Sequence, residues 1–297
     1  MEILAHSLDE LTRRFKVQYN KGRYHAGAVY REIYKKGRKD PFKAPELLAS
    51  PAFAARLKDR VSVSPGRVTQ TIQDGELVKF ITCLADGLVI ESVIIPMTNH
   101  QTLCVSSQVG CRMGCRFCQT AKMGFKRNLD VHEITGQLFN ARFALGADIK
   151  NIVFMGMGEP FDNFDTVILG IRIMNEQKGF NIAPRHITVS TAGLADRIDQ
   201  FGKLGLTGIR LAVSVNGAAD FVRSHLMPVN RNWPLAKLKQ ALLNYPLPNK
   251  RGCFLFEYIL IKGLNDSPKD AIALAEFIKP LPVRLNLIPC NPVDGFN

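Results

Sequence analysis

The 297-residue sequence contains no run of about 18 consecutive apolar residues, so no membrane-spanning helix and no membrane partner are expected. The opening MEILAHSLDE carries acid where a secretory leader carries base, which points away from export. Acidic residues are scarce beside basic ones, 26 against 39, and the net charge is +13. A surplus of that size makes a polyanion the natural partner, although it can also serve solubility alone. Cysteines number seven, and three of them crowd into eight residues. That usage speaks for metal work in a reducing compartment, the cytoplasm, rather than for a disulfide framework.

The crowded stretch is Cys111-Arg112-Met113-Gly114-Cys115-Arg116-Phe117-Cys118. Three thiolates on one short loop can hold three irons of a 4Fe-4S cluster, and the loop offers no fourth thiolate, so one iron stays open for a small chelating ligand. This is the layout of a radical S-adenosylmethionine (SAM) site. Phe117 suits it, because an apolar ring beside a cluster limits solvent access. Two alternatives stay open from the residues alone: a structural zinc site, which usually takes four ligands in two pairs, and unrelated buried thiols.

Residues 1 to 62 read as a small basic helical domain that faces RNA. LDELTRRF, AGAVYREIYKKG and PELLASPAFAARLKDRV carry apolar residues at spacings of three and four. Arg13, Arg14, Lys16, Lys21, Arg23, Arg31, Lys35, Lys36, Arg38 and Lys39 crowd this segment, with Tyr19, Tyr24, Tyr30 and Tyr34 between them. Basic side chains with exposed aromatics can contact phosphates and stack on bases. Residues 63 to 98 switch to a β meander, with β-branched runs around the turn signals Asp74-Gly75 and Asp86-Gly87. Alternation there puts Glu91 on one face with Val93 and Ile95. On pattern alone it reads as an edge residue.

From residue 99 onward strands alternate with amphipathic helices. The candidate strands are TLCVSS (102–107), NIVFM (151–155), RHITVS (185–190), GIRLAVSV (208–215), CFLFEYILI (253–261) and VRLNLI (283–288). A helix between them starts at an Asp130 cap with Glu133 three residues on, and stripes Val131, Ile134, Leu138, Ala141 and Leu145 along one side. The fold class expected is α/β: a parallel sheet curved into a partial (β/α)6 barrel over 99–297, with the helical domain and the β extension before it. Chemistry in such sheets gathers at the C-terminal strand ends. There stand the cysteine loop, Met155-Gly156-Met157-Gly158-Glu159-Pro160, Ser190-Thr191, Ser214-Val215-Asn216 and Pro289-Cys290-Asn291-Pro292.

Leu103-Cys104-Val105-Ser106-Ser107-Gln108-Val109-Gly110-Cys111, running on through Cys118, Gly124, Phe125 and Arg127-Asn128-Leu129, together with MGMGEP at 155–160, resembles the radical SAM RNA adenine methyltransferases of the RlmN/Cfr family. Glu257-Tyr258, Leu264-Asn265-Asp266, Asn286-Leu287-Ile288-Pro289 and Asn291-Pro292 match as well. The resemblance implies methylation of carbon 2, or in one branch carbon 8, of an adenine in 23S ribosomal RNA and sometimes tRNA. It implies SAM and a 4Fe-4S cluster on Cys111, Cys115 and Cys118, and an electron donor such as flavodoxin or ferredoxin. A cysteine near the C-terminus carries the methyl in that family. By motif position Cys104 matches the second cysteine, which releases product through a transient disulfide, and Glu91 matches the proton acceptor of the carbon-2 branch. Gly158, Glu159, Ser190, Ser214, Val215, Asn216 and Asn291 match the SAM contacts.

Two departures stand out. Asn216 sits where the family commonly has His, and Asn also donates and accepts. The chain ends at Asn297, before the place where the methyl-carrying cysteine is expected, and Cys290 is the only late thiol. Taken literally, the expectation is a chain that binds cluster and SAM without completing methylation, as a piece of a longer enzyme would. A divergent radical SAM enzyme without methyl-cysteine chemistry and an inactive RNA-binding relative are the other readings. Nothing in the sequence suggests more than a monomer.

Overall fold

The computed structural model describes residues 1–247 and 252–291. In chain order the first elements are α1 (Leu8–Tyr19), α2 (Arg23–Tyr30), α3 (Pro45–Leu48) and α4 (Pro51–Lys58). Then come β1 (Arg67–Asp74), β2 (Leu77–Cys83), β3 (Val89–Met97), β4 (His100–Cys104), β5 (Gln108–Val109), α5 (Gln119–Lys122), β6 (Arg127–Asn128) and α6 (Val131–Phe139). The remainder alternates: β7 (Ile149–Phe154), α7 (Phe164–Asn175), β8 (Ile187–Thr191), α8 (Ala195–Gly202), β9 (Arg210–Ser214), α9 (Asp220–Leu226), α10 (Leu235–Asn244), β10 (Phe254–Leu260), α11 (Pro268–Ile278) and β11 (Val283–Pro289). All six candidate strands of the α/β region form. No helix among the described residues is long and apolar enough to cross a membrane.

Two compact units interleave along the chain. The first takes residues 1–106, 129–152 and 165–183, and the second takes 107–128, 153–164 and 184–297.

In the first unit, α1 starts where the Ser7 hydroxyl accepts from the Glu10 N–H and stops at Asn20, whose backbone turns left-handed at φ 53. Its apolar stripe, Leu8, Leu11 and Phe15, is fully buried, and Phe15 meets Phe53 of α4 edge to face at 5.5 Å. Tyr30 and Tyr34 are also core: they stack at 4.1 Å, and the Tyr34 hydroxyl donates to the Ile3 carbonyl. The interleaved aromatics are therefore not all surface groups. A spacing of four puts this pair on the inward stripe, and Tyr24, 68% exposed, stays outside. The meander folds as β1-β2-β3 antiparallel, with Gly75 and Glu76 as the first turn between paired Asp74 and Leu77. TLCVSS does not open the parallel set; as β4 it pairs antiparallel with β3. The Asp130 and Glu133 capping box starts α6 as expected. Gln137 on α6 then accepts from the Ser92 hydroxyl and the Ser106 N–H at 2.8 Å each, and donates to the Ser106 carbonyl, tying β3 and the end of β4 to the helix.

In the second unit β8, β9, β10 and β11 are neighbours in that order and all parallel. Helix α8 links β8 to β9, α9 and α10 link β9 to β10, and α11 links β10 to β11. The register sets Ser214, Glu257 and Asn286 side by side across β9, β10 and β11, at the end of β9 and midway along β10 and β11. Apolar residues below that row, among them Val189, Ala212, Val213, Phe254 and Phe256, are buried to 1% exposure or less and fix it in place. The rim of the sheet is thus rigid, while its polar ends remain available.

Candidate active site

One cavity of about 320 Å³ in the second unit gathers most of the residues singled out by motif. Cys111, Cys115 and Cys118 line it, with Gly158 and Glu159, Ser190, Ser214 and Asn216. Thr191, Met227, Glu257 and Ile288 line it too. Val215 faces away: it is fully buried, and its N–H donates to the Glu257 carbonyl. Asn291 is exposed at the end of β11 and is not among the lining residues. Pro292 lies outside the described residues.

The cysteine loop is held from several sides. Arg112 pairs with Asp162 at 2.8 Å and lies over the Phe125 ring at 3.8 Å. The Arg116 N–H donates to the Leu226 carbonyl at 3.0 Å. Gln108 carries more of the architecture than its sequence position announced. The Ser107 and Gln108 N–H groups donate to the Met157 carbonyl, and the Gln108 side chain accepts from the Glu159 N–H at 2.9 Å while donating to Asn128 and Asp162. It clamps the MGMGEP loop to the strand that leads into the cysteines. Gly158, at φ 98, has to be glycine here: a Cβ would stand 2.5 Å from the Gln108 Cβ. A lone amide between Ser107 and Val109 gives no periodic signal, so only a residue-by-residue family match could have marked it.

Glu159 is 4% exposed. Its two oxygens accept from the Phe161 N–H at 3.0 Å and the Ala192 N–H at 2.7 Å, which joins the end of β7 to the end of β8. Burial pushes this carboxyl up to about 7 in spite of those hydrogen bonds. Asn216 takes a left-handed backbone at φ 52, accepts from the Ile259 N–H at 2.8 Å and donates to the Met227 sulfur. On the opposite side Asn286 donates to Glu257 at 2.8 Å.

None of the seven cysteines is in a disulfide. Burial pushes the Cys111 thiol up to about 11, with Glu159 and Cys118 adding to the rise. Burial pushes Cys115 higher still, and the neighbouring Cys118 and Cys111 contribute. Cys111 and Cys115, whose ionised forms burial and neighbouring sulfurs disfavour, suit a cationic centre that would take their negative charge. Among the described residues no three His, Cys, Asp or Glu groups stand close enough to share a single metal ion. A cubane takes each thiolate on a different iron, so its ligands need not share one coordination sphere; the three-thiolate set fits an iron-sulfur cluster and not a tetrahedral zinc.

Glu91 and Cys104 lie in the first unit. β3 pairs with both β2 and β4, but the pairing with β4 begins at Val93, so Glu91 has Ile81 of β2 on one side and lies just past the end of β4 on the other. Cys104 is opposite Val93, which puts its side chain on the same face as Val93 and Glu91, on the diagonal. Glu91 is 47% exposed and 3.3 Å from Lys79, whereas Cys104 is buried. The Ser106 hydroxyl donates to the Glu91 carbonyl at 2.7 Å and keeps the two strands in step past the end of β4.

The Radical SAM superfamily profile matches residues 105–275. A "Probable dual-specificity RNA methyltransferase RlmN 1" of Protochlamydia amoebophila is 39% identical over 292 residues, 98% of this chain and 81% of that protein. A "Dual-specificity RNA methyltransferase RlmN" of Syntrophus aciditrophicus is 42% identical over 288 residues, 96% of this chain and 81% of that one. Among solved structures, a radical SAM methyltransferase from Sphaerobacter thermophilus superposes with a TM-score of 0.89 at 36% identity, covering 99% of this chain and 86% of its own.

Proposed function

The chain belongs to the RlmN family of radical SAM RNA methyltransferases, and from that premise we propose that it adds a methyl group to carbon 2 of an adenine in 23S ribosomal RNA, with tRNA as a second substrate. The observation that carries this reading is the cavity lined by three cysteines of one loop, by the polar ends of β8 and β9 and by Glu257 of β10. Carbon 2 of adenine is a poor nucleophile, so polar methyl transfer from SAM fails there and radical chemistry is needed.

In this proposal Cys111, Cys115 and Cys118 hold a 4Fe-4S cluster, and the fourth iron is left for the amino acid end of SAM. When bound, the cluster supplies the electron that cleaves SAM to a deoxyadenosyl radical. Gly158 presents backbone to the ligand, Glu159 offers its carboxylate to the amino group, and Ser190, Ser214 and Asn216 complete the contacts from the cavity wall, while Val215, which faces away, and Asn291, outside the lining, support the strand ends that carry them. Glu91 takes the ring proton from carbon 2 and, being half-exposed beside Lys79, can pass it to solvent. Cys104 releases product: its thiolate attacks the sulfur of the methyl-carrying cysteine, an S–S bond forms as the S–CH2 bond to adenine breaks, and the freed methylene takes a proton to become the methyl group. The half-open face shared by Glu91 and Cys104 favours the carbon-2 branch, in which a base and a thiol act on one RNA base. A flavodoxin or ferredoxin is the proposed reductant, and the setting is a cytoplasmic monomer.

The test is anaerobic. Iron-loaded protein given a strong reductant, methyl-labelled SAM and either RNA is expected to release 5′-deoxyadenosine and to leave label on adenine carbon 2. Deoxyadenosine without labelled RNA would sink RNA methylation and keep the radical SAM site; no deoxyadenosine would sink both.

A further inference from the structure

Arg223, on α9, is the bulkiest fully buried side chain among those described. Its Nη2 donates to the Ala192 carbonyl at 2.6 Å and the Ser214 carbonyl at 3.2 Å, its Nε to the Val215 carbonyl at 3.0 Å, and its Nη1 to Asn230 at 2.7 Å. None of these acceptors is a carboxylate. Burial lowers Arg223 only to about 10, with Asp220 as a nearby carboxylate, so it stays a cation at neutral pH. A buried guanidinium satisfied by neutral carbonyls bears a desolvation penalty that such bonds only partly offset.

The site makes room for it. Gly193, at φ 102, could not carry a Cβ without placing it 2.8 Å from Nη2, and a Cβ on Gly217 would stand 3.0 Å from the Arg223 backbone. The carbonyls it bridges belong to the ends of β8 and β9, beside the cavity residues Ser190, Thr191, Ser214 and Asn216. The far end of α9 is fixed to the cysteine loop: Leu226 accepts from the Arg116 N–H, and His225 lies 3.2 Å from the Arg116 guanidinium. One helix therefore links both strand ends, which line the cavity with Cys115, to the segment between Cys115 and Cys118.

We propose that Arg223 is a positioning residue with two effects: its fork fixes the β8 and β9 ends that receive SAM, and its fixed positive charge raises the reduction potential of a cluster held by Cys111, Cys115 and Cys118. This rests on the cluster reading given above. A cation in a low-dielectric site favours the cluster state that carries one more electron. A fork that meets three carbonyls cannot be copied by a single ammonium group.

The experiment compares wild type, Arg223→Gln and Arg223→Lys after anaerobic reconstitution, reading iron content, the midpoint potential by spectroscopic titration, and the Kd for SAM. The glutamine variant is expected to keep its iron, shift the midpoint to more negative values and bind SAM at least roughly tenfold more weakly, the loss of about one charged hydrogen bond. The lysine variant is expected to restore the wild-type midpoint while its Kd stays raised. An iron-loaded glutamine variant with the wild-type midpoint, or equal midpoint shifts in both variants, would overturn the charge effect. A wild-type Kd in the lysine variant would overturn the positioning. Should the glutamine variant fail to fold, the lysine variant decides: wild-type midpoint with raised Kd supports the inference, and a shifted midpoint or an unchanged Kd refutes it. Wild type that takes up no iron would refute the cluster reading and this inference with it.

Discussion

Glu32 in the first unit and Glu159 in the second are buried almost equally, at 1% and 4% exposure, yet the protein answers them in opposite ways. Glu32 accepts from Lys36 at 2.7 Å and Arg38 at 2.8 Å, with Arg31 at 3.4 Å. Burial pushes its carboxyl up, but the bonds from Lys36 and Arg38 outweigh burial and hold it below the usual 4.5. Glu159 receives neutral donors, the Phe161 and Ala192 N–H groups and the Thr191 hydroxyl, and burial keeps it near 7. The first charge is matched inside the protein and serves the fold. The second shares a cavity with three cysteines, and a carboxyl so perturbed in a cavity is the kind of group that gathers at functional sites; in the proposed function a ligand matches it.

The most severe break of that contrast is on the cavity side. Cys115→Ala is expected to lose the cluster altogether, and anaerobic reconstitution should give colourless protein; an unchanged iron count would remove the cluster from this loop. Next in size, Glu159→Gln keeps the shape but not the charge and is expected to weaken SAM binding by about 2 kcal/mol, roughly thirtyfold in Kd, with iron content intact. In wild type the affinity should fall as the pH drops through 7, because the protonated carboxyl accepts more weakly from the amino group of SAM and no longer offsets its positive charge, and the glutamine variant should lack that step. A wild-type profile flat on both sides of pH 7 would take Glu159 out of direct contact with the ligand.

The cavity was legible in sequence because its chemistry sits in short contiguous motifs: eight residues carry the three cysteines, and MGMGEP carries Gly158 and Glu159. The six strands were legible because buried β-branched runs are hard to mistake. Arg223 and Gln108 were not, since each owes its role to partners distant in sequence, such as Ala192 for the arginine and Asp162 for the glutamine. Tyr30 and Tyr34 misled for the opposite reason: aromatics among basic residues look like a nucleic-acid surface until the helix turns them inward. Glu91 read as an edge residue, and the sheet covers it on the β2 side alone, since β4 ends before reaching it.

The mildest test is on the first unit. Glu32→Gln is expected to lower unfolding stability by about 2 kcal/mol, less than a fully buried ion pair gives, because its three cations keep a third to a half of their side-chain exposure. Iron content and SAM affinity should stay at wild-type values. The pH dependence carries the sign of the comparison. A carboxyl held below 4.5 in the folded state contributes stability above 4.5 and loses it as the pH falls through the folded value, so the gap between wild type and Glu32→Gln should close in acid. Glu159, raised to about 7, has the opposite slope: in ligand-free protein its stabilising share is present below 4.5 and is lost as the pH rises through 7, so Glu159→Gln should gain on wild type over that interval. Denaturant midpoints measured across that range decide the matter. A Glu32 gap that persists in acid would mean that shape and hydrogen bonding, rather than matched charge, hold the first unit together there.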